Sequence, residues 1–227
     1  MSFKNQFGID AQSIKPTCIL TPFLYKGLLE DLEIKSLSKG KPYASGHGKN
    51  FTLIHTQVGS LFMGDCVLSL KKTPCKQLIM LGSCGLVEKT DHLDIGQIVL
   101  PIQSYEMESF SQMLEKKYIN LNAHHANESL MNNLTPSSPF PKVSCASLGS
   151  IKQENNYLNF FKKNGIEIVD MEYSAFLTAS KHINIPACGI LYITDIIGES
   201  SPFNLNSSSQ QKIKTAQKEM SNILIKL

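Results

Sequence analysis

Three short stretches of the sequence carry side chains suited to chemistry. In the run Leu191–Glu199, an apolar segment ends on Thr194 and Asp195. An aspartate at that place either caps a following helix or acts as an acid/base group, since partial burial raises a carboxyl's pKa and lets it donate a proton. In Val169–Ala175, Met171 and Glu172 stand where a strand pattern gives way to a helical one. Glu172 reads either as a charge matched to the helix dipole or as a binding group whose two oxygens can accept hydrogen bonds from vicinal hydroxyls. In Met80–Leu86, Gly82, Ser83, Cys84 and Gly85 form a small-residue stretch. It predicts a tight turn whose backbone N–H groups and Ser83 hydroxyl suit an anion or a sugar hydroxyl; a turn without a ligand is the alternative. The dinucleotide-binding GxGxxG spacing is absent.

Two further arrangements are weaker. Cys84 paired with His55 could form a thiol nucleophile, against the blander reading of a small core cysteine. His124 and His125 are adjacent but lack further Cys/His spacing, so they read as polar loop residues and no metal is expected.

The elements that must position these groups follow from periodicity. Apolar, β-rich runs predict strands at Thr17–Leu20, Phe51–Thr56, Gln77–Leu81, Val143–Ser147, Ile166–Val169 and Ala187–Ile193, with Leu93–Pro101 a turn into a strand. Helical patterns cover Ser60–Lys72, Tyr157–Lys163, Glu172–His182 and a C-terminal segment through Ile213, Ala216, Met220, Ile223, Leu224 and Leu227. The polar segment from Glu106 to Pro141, which includes Pro136 and Pro139, reads as a long loop excursion. Strands alternating with helices predict an α/β fold on a parallel or mixed sheet, with site residues just beyond strand ends.

Composition bounds the possibilities. A chain of 227 residues with no visible repeat or linker reads as one domain over residues 1–227, and its 42% apolar content suffices for a packed core. Every one of the 22 basic residues is lysine, so no guanidinium clamp on phosphate or carboxylate is available within the chain. The lysines are scattered and the formal net charge is only +3, so no nucleic-acid partner is expected. The six cysteines form no CxxC pair and read as reduced core thiols. No signal-like apolar segment opens the chain and no apolar run reaches about 18 residues, so a cytoplasmic protein without a membrane partner is expected.

In their order, spacing and surroundings, the three stretches resemble the purine nucleoside/uridine phosphorylase superfamily, which includes the methylthioadenosine/adenosylhomocysteine nucleosidases. The matching segments are Leu81–Pro101 (LGSCGLVEKTDHLDIGQIVLP), Ile168–Phe176 (IVDMEYSAF) and Tyr192–Asp195 (YITD), and the resemblance runs from about Phe51 to Ile197. It implies a three-layer α/β/α fold with a mixed, twisted central sheet. It also implies cleavage of the N-glycosidic bond of a nucleoside, purine or modified, by phosphorolysis or hydrolysis. Under it Glu172 and Met171 would hold the ribose, and Cys84, Gly85, Val169 and Thr194 would line the base pocket. Asp195 would protonate the departing base. Gly82 and Ser83 would border the phosphate or water. No cofactor is implied, phosphate being a possible co-substrate, and a homo-oligomer, dimer or hexamer, is expected.

The sequence departs from that family on the nucleophile side. The phosphorylase Gly-Asp-Pro-x-Arg turn is replaced by Leu20-Thr21-Pro22-Phe23-Leu24, and Met80 stands near the position of a second arginine. Lys26 is the nearest substitute, as a point charge. The glutamate that helps nucleosidases activate water has no counterpart in Thr21–Leu29. Leu148 and Ile151 occupy the region of the usual base-stacking aromatic, with Tyr157 and Phe160 as alternatives, and the customary Gly-x-Gly is reduced to Gln57-Val58-Gly59. A nucleoside-binding protein with weak or no catalysis is therefore the second reading.

Overall fold

The computed structural model describes residues 2–117, 121–135 and 140–227. Its strands are β1 (Thr17–Thr21), β2 (Ser38–Lys39), β3 (Ala44–His47), β4 (Phe51–His55), β5 (Gln77–Leu86), β6 (Ile98–Met107), β7 (Ala123–His125), β8 (Lys142–Leu148), β9 (Ile168–Asp170) and β10 (Ala187–Ile196). Its α-helices are α1 (Phe3–Phe7), α2 (Leu28–Asp31), α3 (Ser60–Ser69), α4 (Phe110–Glu115), α5 (Glu128–Leu134), α6 (Leu158–Lys163), α7 (Tyr173–His182) and α8 (Ser207–Leu224). Short 3-10 turns follow α3 at Leu70–Lys72 and precede α6 at Ile151–Tyr157.

Successive side chains of a strand point to opposite faces, and here both faces are apolar. Cys18 and Leu20 of β1, Leu78 and Met80 of β5, and Leu191 and Ile193 of β10 pack with Met63, Val67, Phe176 and Leu177 of α3 and α7. The intervening Ile19, Ile79, Leu81, Ile190 and Tyr192 pack with Ile213, Ala216, Met220 and Leu224 of α8 on the other face. Helices thus cover both sides of one mixed sheet, in the order β10-β6-β8-β9-β5-β1-β4-β3-β2. β10 also pairs with β5, so β5, β10, β6, β8 and β9 close into a ring. Pairing is parallel for β1–β4, β1–β5, β5–β10, β6–β8 and β8–β9, and antiparallel for β5–β9 and β6–β10.

Two sequence expectations change. Gly82–Gly85 is not a turn: β5 continues through Leu86, with Gly82, Ser83 and Cys84 paired to Leu191, Tyr192 and Ile193. The two glycines serve close strand packing, since a Cβ on Gly82 would lie 3.1 Å from Leu191 Cδ2. The segment from Glu106 onward is also more ordered than a loop. β6 runs to Met107, α4 is capped by Ser109, α5 is capped by Asn127, and β7 adds antiparallel to β6. Pro136 to Pro139 lie outside the described residues. Among the described residues no helix is long and apolar enough to cross a membrane.

Candidate active site

All three stretches meet at Gly85. Its antiparallel partner on β9 is Val169 and its parallel partner on β10 is Asp195. The β5–β10 register slips between Ile193 and Asp195, leaving Thr194 as an extra, unpaired residue. Such a bulge re-aims the following side chain. It brings Asp195 to the wall of a cavity of about 230 Å³. A Cβ on Gly85 would lie 3.3 Å from Val169 Cγ2 and 3.7 Å from Asp195 Oδ2, so the missing side chain leaves that wall open.

Ser83, Cys84, Gly85, Val169, Met171, Glu172, Thr194 and Asp195 all line this cavity. Gly82 and Lys26 do not line it, and Lys26 is exposed. Asp195 is 4% exposed. Thr194 Oγ1 lies 2.6 Å from its Oδ1 and 3.1 Å from the Cys84 carbonyl. Asp195 Oδ2 has no hydrogen-bond partner among the described residues. Burial raises the Asp195 carboxyl, with the Thr194 hydroxyl pulling it part of the way back. The expected N-cap alternative for Asp195 does not apply, because the residue lies within β10.

The carboxylate that serves the start of α7 is Asp170 rather than Glu172. Asp170 Oδ2 accepts the backbone N–H groups of Glu172 and Tyr173 at 3.0 and 2.6 Å. Its Oδ1 accepts the Ser147 hydroxyl at 2.5 Å and the Cys145 thiol at 3.5 Å. Burial raises the Asp170 carboxyl and these four donors lower it, which leaves it the ionised member of the pair with Glu172. Glu172 is held by Gly59, whose N–H donates to Oε1 at 2.6 Å, while Ser60 Oγ donates to the Met171 carbonyl at 2.6 Å. Burial, reinforced by the Asp170 charge, holds the Glu172 proton well above the usual carboxylate range. The backbone N–H groups of Gly59 and Met171 each pull the carboxyl part of the way back down.

Several lining residues carry no clear signal in the sequence. Glu154, from the 3-10 turn before α6, is pushed up to about 7 by burial and by the Asp195 charge. Phe23 and Phe203 supply the aromatic surface, and Leu148 and Ile151 join them. Tyr157 and Phe160 do not line the cavity; Tyr157 is buried in a separate apolar cluster and donates its hydroxyl to the Met113 carbonyl. The thiol reading fails on two counts. Cys84 is held far above a reactive thiol's range by burial and by the Asp170 and Asp195 charges, and its thiol donates to the Tyr192 carbonyl. His55 does not line the cavity. His124 and His125 belong to β7 rather than a loop, with His124 Nε2 3.1 Å from Glu106 Oε2. Among the described residues no group of three or more His, Cys, Asp or Glu is placed to hold a metal.

Residues 43–227 match the family model described as the phosphorylase superfamily. The chain belongs to this superfamily. Solved structures of the same fold include a uridine phosphorylase from Vibrio fischeri ES114, complexed with 6-hydroxy-1-naphthoic acid. It is 20% identical, with a TM-score of 0.78, over 99% of this chain and 96% of that one. A purine nucleoside phosphorylase from Toxoplasma gondii in complex with immucillin-H is 17% identical, with a TM-score of 0.81, over 100% of this chain and 95% of that one. A Campylobacter jejuni 5′-methylthioadenosine/S-adenosyl homocysteine nucleosidase is 14% identical, with a TM-score of 0.72, over 94% of this chain and 98% of that one. At these identities the superfamily member shares the fold with phosphorylases and nucleosidases alike. No curated protein matches its sequence.

Proposed function

We propose that this superfamily member cleaves the N-glycosidic bond of a nucleoside, with a purine or modified base as leaving group. The observation that carries the reading is the junction at Gly85, where Asp195, its carboxyl raised by burial, and a buried Glu172 share one cavity. Glu172 Oε2, beside Met171, takes the ribose hydroxyls. Cys84, Gly85, Val169 and Thr194 flank the base. As the glycosidic bond breaks, its electron pair leaves with the base and the Asp195 proton neutralises it, an effect worth ~10²–10⁴-fold. The acceptor oxygen bonds to the anomeric carbon; if it is water, its surplus proton returns to Asp195 through solvent.

Water is the favoured acceptor. The described lining contains the carboxyl side chains of Glu154, Asp170, Glu172 and Asp195 and no Lys or His. A phosphate anion would find no cation there to neutralise it and would face the ionised Asp170. Phosphorolysis would need a lysine from a partner copy in the proposed homo-oligomer, dimer or hexamer. Neither metal nor organic cofactor enters the scheme, and buried thiols suit a reducing, cytoplasmic setting.

The test is release of free base from inosine, adenosine, guanosine, uridine and methylthioadenosine, with and without phosphate. Phosphate-independent release is expected. Strictly phosphate-dependent release overturns the choice of water. Thermal stabilisation by a nucleoside without any release selects the binding-protein reading, which the carboxylate-free Thr21–Leu29 segment favours.

A further inference from the structure

The cavity holds a second acid for which the scheme above has no use. Glu154 lines it from the 3-10 turn Ile151–Tyr157, half-buried and without a hydrogen-bond partner among the described residues. The turn passes close to the Asp195 end. Asn155 Oδ1 lies 3.0 Å from the Cβ position of Gly198, three residues beyond Asp195, and Gly198 adopts φ +81°, a conformation that only glycine takes freely. Burial, and after it the Asp195 charge, raises the Glu154 carboxyl. Two carboxyls therefore line one cavity, the Glu154 turn lying near the strand end that carries Asp195, with Asp195 Oδ2 and both Glu154 oxygens free of protein partners among the described residues.

Two acids in one small cavity do not both ionise readily, since each charge opposes the other. A pair that keeps one proton offers one donor and one acceptor. That pattern complements a base edge with a ring-nitrogen acceptor beside an amino donor. It does not complement an edge with two acceptors, such as a ring nitrogen beside a carbonyl oxygen, which would leave the carboxylate facing a lone pair. A site built to hydrogen-bond a group discriminates strongly against the analogue that lacks it.

We propose that Glu154 reads the base: its carboxylate accepts a hydrogen bond from an exocyclic amino group beside the ring nitrogen that Asp195 protonates, so the site takes aminopurine nucleosides in preference to their oxo counterparts. The inference rests on the nucleoside-cleaving reading above. Glu154 makes no protein hydrogen bond among the described residues, so Glu154→Gln leaves the fold intact. The amide can donate as well as accept, so the variant serves either edge.

The experiment measures adenine and hypoxanthine binding by calorimetry, and base release from adenosine and inosine, for the wild type and Glu154→Gln. The wild type is expected to favour the amino partner by ~10-fold or more. In the variant the ratio falls to within ~3-fold, mainly through weaker adenine binding, with the melting temperature unchanged. Equal binding of the two bases by the wild type, or an unchanged ratio in the variant, overturns the role of Glu154. If neither nucleoside is cleaved, the cleavage reading fails while the base-binding ratio still decides Glu154; if neither base binds, both fail.

Discussion

The backbone N–H of Gly59 donates to Oε1 of Glu172 at 2.6 Å, across 113 residues of sequence. Gly59 is at φ +115° and ψ 143°, with nothing within 4 Å of its Cβ position. Its need for glycine is therefore conformational rather than steric, and the strained backbone aims the amide at the carboxyl. The same loop end holds the Met171 carbonyl through Ser60. The start of α3 thus fixes the two residues proposed to hold the sugar.

Gly59→Ala is expected to lower stability by about 1–3 kcal/mol and to raise KM for the nucleoside more than it lowers kcat. Thermal unfolding and steady-state base release measure the two effects. An alanine variant with wild-type stability and KM contradicts the orienting role.

The protonation of Glu172 sets a pH dependence of stability. The unfolded chain loses this proton in the ordinary carboxylate range, whereas the folded chain keeps it up to about 8. Between those values the native state binds the extra proton, so stability falls as pH rises. Glu172→Gln keeps an oxygen for Gly59 but removes the titration. Its unfolding free energy should be flatter between about pH 5 and pH 8 and should exceed the wild type's at about pH 8.5 by on the order of 1–3 kcal/mol, with weaker nucleoside binding. A variant less stable than the wild type at the alkaline end contradicts this assignment.

Asp170 carries structure rather than substrate. Asp170→Ala leaves the Ser147 hydroxyl and the N–H groups of Glu172 and Tyr173 without their acceptor. The expected loss is about 2–4 kcal/mol in denaturant unfolding. A loss under about 1 kcal/mol would show that the α7 N-terminus finds other partners.

Gly85→Ala places a methyl against Val169 and Asp195. Val169 must yield by a few tenths of an ångström, costing about 1–3 kcal/mol, and the methyl occupies the proposed base wall. Nucleoside affinity should fall ~10-fold or more. Unchanged affinity measured by calorimetry contradicts the placement of the base beside Gly85.

The central strands were legible because their apolar runs are buried on both faces, as at Thr17–Thr21, where every residue is buried; β2, β3 and β7, short and partly exposed, were not. α7 and α8 were legible from their apolar stripes. Gly82–Gly85 misled because glycine signals turns locally, while here it permits strand pairing that depends on residues more than 100 positions away. The bulge at Thr194 depends on the same distant register. Asp195, Glu172 and their neighbours stood out because they follow apolar strand patterns, where an α/β sheet places its site residues, in segments that match the superfamily. Glu154 and Phe203 did not, because each sits in a polar local sequence and gains meaning only from the cavity it faces. Asp170 was overshadowed by Glu172, since two carboxylates flanking Met171 at a helix start cannot be told apart until their donors are known.

The most direct test is the rate of base release by Asp195→Asn, measured on the nucleoside that the wild type cleaves fastest. The amide keeps the shape and can still bond to Thr194, but it has no carboxyl proton to give. Turnover should fall by ~10²-fold or more, with the melting temperature close to that of the wild type and nucleoside binding retained. Turnover at the wild-type rate would contradict Asp195 as the acid that releases the base.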